Sequence, residues 1–79
     1  MISAKIRRYK KTVSGLNVSE LLAVLNNSRL SKDERFAVEL IDLYGKSWKE
    51  ASDMMNTDTA QFGRWLKRGR IKILKQIFK

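Results

Sequence analysis

The sequence predicts an all-α domain, and three observations carry that reading. Four times along the chain a capping residue is followed three positions later by Glu or Gln and then by apolar residues at threes and fours. Proline, which would break a helix interior, is absent. No alternating apolar and polar run or hairpin dipeptide competes with helix. The expected architecture is a small domain of four helices, or five if the N-terminal residues also fold.

Residues 1–12 place Ile2, Ile6 and Tyr9, with Val13 beyond them, at helical spacing, but no cap precedes them and Ser14-Gly15 follows. They read as either a frayed amphipathic helix or a disordered arm. From Asn17 the signals sharpen. Asn17 with Glu20 fits a capping box, Val18, Leu21, Leu22 and Leu25 follow on one face, and Asn26-Asn27-Ser28 ends the segment. Ser31 with Glu34 opens a second helix, whose apolar residues between Phe36 and Tyr44 cover more than one face and which Gly45 should close in a left-handed conformation.

Ser47 with Glu50 starts a third, over residues 47–55, with Trp48, Ala51, Met54 and Met55 expected toward the core and Asn56 as its left-handed cap. Asp58 with Gln61 starts the fourth and longest, over residues 58–78. Its stripe of Phe62, Trp65, Leu66, Gly69, Ile73 and Ile77 lies opposite Arg64, Lys67, Arg68, Lys72 and Lys75. The organisation expected is a basic arm or frayed helix over residues 1–16, then one domain over residues 17–79.

The formal net charge is +9, and it is segregated. Residues 1–12 hold five bases and residues 59–79 hold seven, with no acid in either stretch; all eight acids lie between them against five bases. Two basic poles around an acidic middle are the electrostatic footprint of a polyanion-binding chain. Other classes lose support. Without His or Cys there is no usual zinc site and no disulfide, and no metal or other cofactor is expected. The acids are spread along helices as capping groups rather than paired for acid–base chemistry, so no catalytic residue is expected. No apolar run approaches the roughly 18 residues of a membrane span, which points to a cytoplasmic chain without membrane contact.

The last two helices are separated by only Asn56-Thr57-Asp58, so they must cross steeply, as in a helix-turn-helix. The longer helix then turns outward Thr59, Ala60, Gln61, Gly63 and Arg64, small or polar groups that could enter a major groove. Arg64 is the one side chain among them able to bind guanine O6 and N7 in two parallel hydrogen bonds. Lys46, Lys49, Arg7, Arg8 and Lys10 are candidate phosphate contacts, as are Asn56 and Thr57 through backbone groups and Lys67, Arg68 and Lys72 along the long helix. The partner this predicts is double-stranded DNA; whether the chain acts as a monomer or a homodimer stays open.

From Leu30 to about Leu74 the chain resembles region 4 of bacterial sigma factors, the helix-turn-helix domain that binds the minus-thirty-five promoter element. The resemblance is carried by Leu30-Ser31-Lys32-Asp33-Glu34-Arg35 with Tyr44-Gly45, by Ser47-Trp48-Lys49-Glu50-Ala51-Ser52, and by Phe62 with Arg68-Gly69-Arg70. Asn56 stands where the family usually has Gly, Thr57 and Ala51 where it has aliphatic residues, and Gly63 lies within the recognition helix. Residues 1–29 contain nothing similar to the sigma region that melts promoter DNA, so the resemblance implies a small transcription regulator, of a kind often found in phages and mobile elements. It also implies base-facing places for Thr59, Ala60, Gly63 and Arg64, backbone-side places for Lys67 and Arg68, and contact with RNA polymerase. The alternatives left open are a protein-interaction module with little DNA binding, using segment 17–26 or the apolar end Ile71, Ile73, Leu74, Ile77 and Phe78, and a phage DNA-binding protein for recombination or packaging.

Overall fold

The computed structural model describes Tyr9, Lys11 and residues 13–77. Among these residues there is no strand, and the order is α1 (Val18–Asn27), α2 (Lys32–Val38), a π-helical turn (Glu39–Leu43), α3 (Trp48–Met54) and α4 (Thr59–Ile77). Tyr9, Lys11, Val13 and Ser14 are also helical. The phosphate contacts expected at Arg7, Arg8 and Lys10, and the apolar Phe78, lie outside the described residues.

The capping boxes start the helices where expected. Asn17, Ser31 and Ser47 each accept from the backbone N–H of the Glu three residues on, while that Glu accepts from the capping residue's own N–H. Two otherwise orphaned donors are satisfied at each start. Asp58 makes only half of the fourth box: it accepts from the Gln61 N–H at 2.7 Å, but Gln61 Oε1 turns to accept from Arg64 instead. The helix ends also follow the chemistry. Gly45 has φ +66° and Asn56 φ +56°, so Asn56 supplies the left-handed turn for which Gly is the usual choice. Arg29, with φ +53°, does the same after α1, although no Gly or Asn marks that position.

Segment 31–44 is not one continuous α-helix. After Val38 it widens into the π-turn, closed by Tyr44 N–H donating to the Glu39 carbonyl at 2.9 Å, and Lys46 N–H donates to the Leu40 carbonyl at 2.8 Å. The widening redistributes the crowded apolar residues of this stretch, leaving Leu40 buried and Tyr44 exposed.

α4 packs against α1, α2 and α3 and is the spine of the domain. Phe62, Leu66, Ile73 and Leu74 meet Leu21, Leu25, Val38 and Ala51 in the core. Tyr9 is fully buried beside them. Two core expectations are corrected, since Met54 is 54% exposed and Trp48 is 48% exposed; Val18, on the apolar face of α1, is 60% exposed. The small Ala51 and Ser52 take the buried positions of α3. Met54 and Val18 are therefore left at the surface near the ends of short helices, and Trp48, at the first position of α3, lays only one ring edge on the core.

Candidate nucleic-acid interface

The α3–turn–α4 unit is held by backbone bonds at its corner. Met55 N–H donates to the Ala51 carbonyl, Asn56 N–H to Asp53 and Thr57 N–H to Ser52, each at 3.0 Å. This corrects one expectation, since the Asn56 and Thr57 amides are spent inside the turn and cannot also donate to a phosphate. Their side chains remain, Asn56 exposed and Thr57 half-buried.

With Phe62 and Leu66 buried, a helical advance of about 100° per residue turns Ala60, Arg64, Lys67 and Arg68 away from the core. All four are exposed, and so is Thr59. Gln61 is half-buried, and its Oε1 accepts from Arg64 Nη1 at 2.9 Å, a solvent-exposed bond that a base edge could replace. Gly63 lies on the flank of this face. A Cβ built there would come within 3.1 Å of the Trp48 indole, which stacks edge-on to Phe62 with ring centroids 5.8 Å apart. So the glycine leaves room for a ring that braces α3 against α4 at the border of the outward face.

Lys46 and Lys49 are exposed at the start of α3. Glu50 shares that surface, and its carboxyl is held below the usual range by the hydrogen bonds with the Ser47 hydroxyl and backbone that make the cap. Lys72 is not a free cation: its ammonium donates to Glu34 Oε1 at 2.6 Å. Glu34 is buried, which raises its pKa, but the Lys72 bond and the Ser31 cap outweigh burial and leave it lowered.

One constellation has no local signature in the sequence. Tyr9 Oη donates to Asp42 Oδ2 at 2.6 Å, Arg70 Nη2 donates to Asp42 Oδ1 at 2.9 Å, and the Arg70 guanidinium lies 5.2 Å from the centre of the Tyr9 ring. Burial, followed by repulsion from the Asp42 carboxylate, pushes the Tyr9 phenol far above its ordinary range. Arg70 therefore belongs to the frame and not to the basic face. The one hint is its place, a residue past Gly69 on the core side of the long helix, where an Arg is unusual.

Among the described residues no group of His, Cys, Asp and Glu is arranged to hold a metal, and no helix is long and apolar enough to cross a membrane. A family profile described as Sigma-70, region 4 matches residues 28–73. No curated protein and no solved structure matches the chain.

Proposed function

Because the chain belongs to the sigma-70 region 4 family, a family of DNA-binding helix-turn-helix domains, we propose that it is a transcription regulator that sets the N-terminal turns of α4 in the major groove. The observation that carries this reading is the outward face itself. Thr59, Ala60, Arg64, Lys67 and Arg68 are exposed in sequence along the first turns of α4, and residues 59–77 contain no acid. In this reading Thr59, Ala60, Gln61 and Arg64 meet base edges, while Lys46, Lys49, Lys67 and Arg68 meet phosphates on either side. The family also binds RNA polymerase, and a polymerase contact is part of the proposal.

Much of the apolar surface that favoured a protein-docking role is used in folding. Leu21 and Leu25 of segment 17–26, and Ile73 and Leu74 near the C-terminus, are buried. The test is titration of random duplex DNA over a series of salt concentrations, with Lys67→Gln/Arg68→Gln as the comparison. Removing one phosphate contact should flatten the slope of log K against log salt by about 0.9, so the double variant should flatten it by about 2. Absence of salt-dependent binding by the wild type would overturn the proposal.

A further inference from the structure

On the far half of α4 a second basic surface lies outside the face assigned to base reading. An open groove between the end of α1 and α4 is lined by Asn26, Asn27, Arg29, Lys72, Lys75 and Gln76. Lys72 is shared with Glu34, but neither Arg29 nor Lys75 has an acidic partner among the described residues. Arg29 also occupies a left-handed backbone conformation that Gly or Asn would adopt more easily. An arginine in that conformation, beside Lys75 and the three amide side chains of Asn26, Asn27 and Gln76, forms a surface suited to phosphate oxygens.

The distance along the helix says which phosphates. Lys75 lies eleven residues beyond Arg64, roughly 16 Å at 1.5 Å per residue. A major groove is only about 12 Å wide, so a side chain that far from the reading turns lies beyond the base edges they reach. Lys72 and Lys75 also continue from Arg68 at steps of four and three, so the two basic surfaces join along one side of α4. We infer that the α1–α4 groove grips the phosphodiester backbone of the same duplex, flanking the groove read by Arg64, with Arg29 and Lys75 as its contacts. The inference rests on the DNA-binding reading above and adds to it a second contact from an element outside the helix-turn-helix.

The test is the variant Arg29→Gly/Lys75→Gln, in which Gly suits the left-handed position and the Lys75 change is at an exposed site, so the fold is retained. Labelled random duplex is titrated over a salt series, beside Val18→Glu/Ser19→Glu, which lowers the net charge equally at the opposite end of α1. The expected result is a slope flatter by about 2 for the groove variant, in a complex of one duplex per protein, and little change for the control. Equal slopes for wild type and groove variant would overturn the inference, as would an equal loss in the control, which would make the effect one of general charge. Bridging of two differently coloured duplexes by the wild type, abolished in the groove variant, would give the groove to a second molecule and also overturn it. So would variant-sensitive binding of polyglutamate with the DNA slope unchanged, which would indicate an acidic protein segment. A wild type with no salt-dependent binding fails the underlying reading instead.

Discussion

Gly69 and Val38 stand so close that a Cβ built on Gly69 would lie 2.7 Å from Val38 Cγ2 and 3.2 Å from the Glu34 carbonyl oxygen. Neither neighbour can yield easily. Val38 is fully buried and branched at Cβ, and the carbonyl belongs to the backbone of α2. Gly69 is thus the contact point at which α4 crosses α2. Replacing it with Leu should cost about 1–3 kcal/mol through overpacking, and even Gly69→Ala should forfeit the roughly 1 kcal/mol that Ala normally gains over Gly inside a helix. Thermal melts decide: an unchanged midpoint for Gly69→Leu would show that the two helices can part here at no cost.

Gly63 lies six residues earlier in the same helix, and substitution with Ala should act there in the opposite direction. Its close neighbour is the ring of Trp48, an indole nearly half exposed that can swing aside by a few tenths of an ångström. Gly63→Ala should therefore stabilise the domain by up to about 1 kcal/mol, through helix propensity. A lower melting midpoint would mean that the edge-on contact with Phe62 pins the indole in place.

Tyr9→Phe tests how tightly the N-terminal segment is fastened to the domain. The phenyl ring keeps its place beneath the Arg70 guanidinium, but Asp42 is deprived of the donor now 2.6 Å away in a largely buried setting. The expected destabilisation is about 1–3 kcal/mol, measured by urea titration, with Asp42→Asn in a double-mutant cycle to isolate the pair. A cycle showing no coupling would assign the whole effect of Tyr9 to its ring.

The pH dependence of stability should carry the signature of Glu34. Its carboxyl has a lower pKa folded than unfolded, so its contribution is present above the unfolded value, about 4.3, and is lost as pH falls through the folded one. Melting midpoints should therefore drop as the solution is acidified from neutrality toward pH 3. Glu34→Gln should be less stable than wild type at pH 7 and lose less on acidification. Glu50, also lowered, acts in the same direction, so the drop should shrink rather than vanish. Parallel pH profiles for the two proteins would exclude the Lys72–Glu34 bond as a source of the dependence.

Features set by local chemistry are legible in the amino-acid sequence alone. A capping box involves residues three apart, and a left-handed Gly45 or Asn56 needs no partner, so the helix starts and the corner of the helix-turn-helix can be read directly. So can the packing role of Gly69, from its place in the apolar stripe of α4. What cannot be read depends on distance along the chain. Asp42 and Arg70 are 28 residues apart and Glu34 and Lys72 are 38 apart, so nothing in the local spacing names the acid with which either base pairs. By sequence Lys72 is therefore indistinguishable from a phosphate contact such as Lys67. The Asn56 and Thr57 amides escape for a related reason, because the turn that brings these residues to the corner also consumes their N–H groups.

Arg64 separates a sequence-specific regulator from a domain that holds any duplex. It lies two residues after the fully buried Phe62, so a rotation of about 200° points it outward, and it is exposed within the second turn of α4. One guanidinium nitrogen donates to Gln61 Oε1 at 2.9 Å, leaving the rest of the planar fork open and partly oriented. That fork can meet guanine O6 and N7 together, which a lysine ammonium cannot reproduce, so Arg64→Lys should keep the charge and lose discrimination. The expected loss is about 1–3 kcal/mol on a preferred site and little on scrambled DNA. Gln61→Ala should weaken the preference less, because it removes a neutral base-edge contact and a group that steadies the guanidinium but leaves the guanidinium itself. The measurement is selection of a preferred duplex from a random pool, followed by titration of wild type, Arg64→Lys and Gln61→Ala on that duplex and on its scrambled counterpart. Equal weakening of Arg64→Lys on both would reassign Arg64 to a phosphate, and a pool that yields no preferred site would leave α4 a nonspecific basic helix.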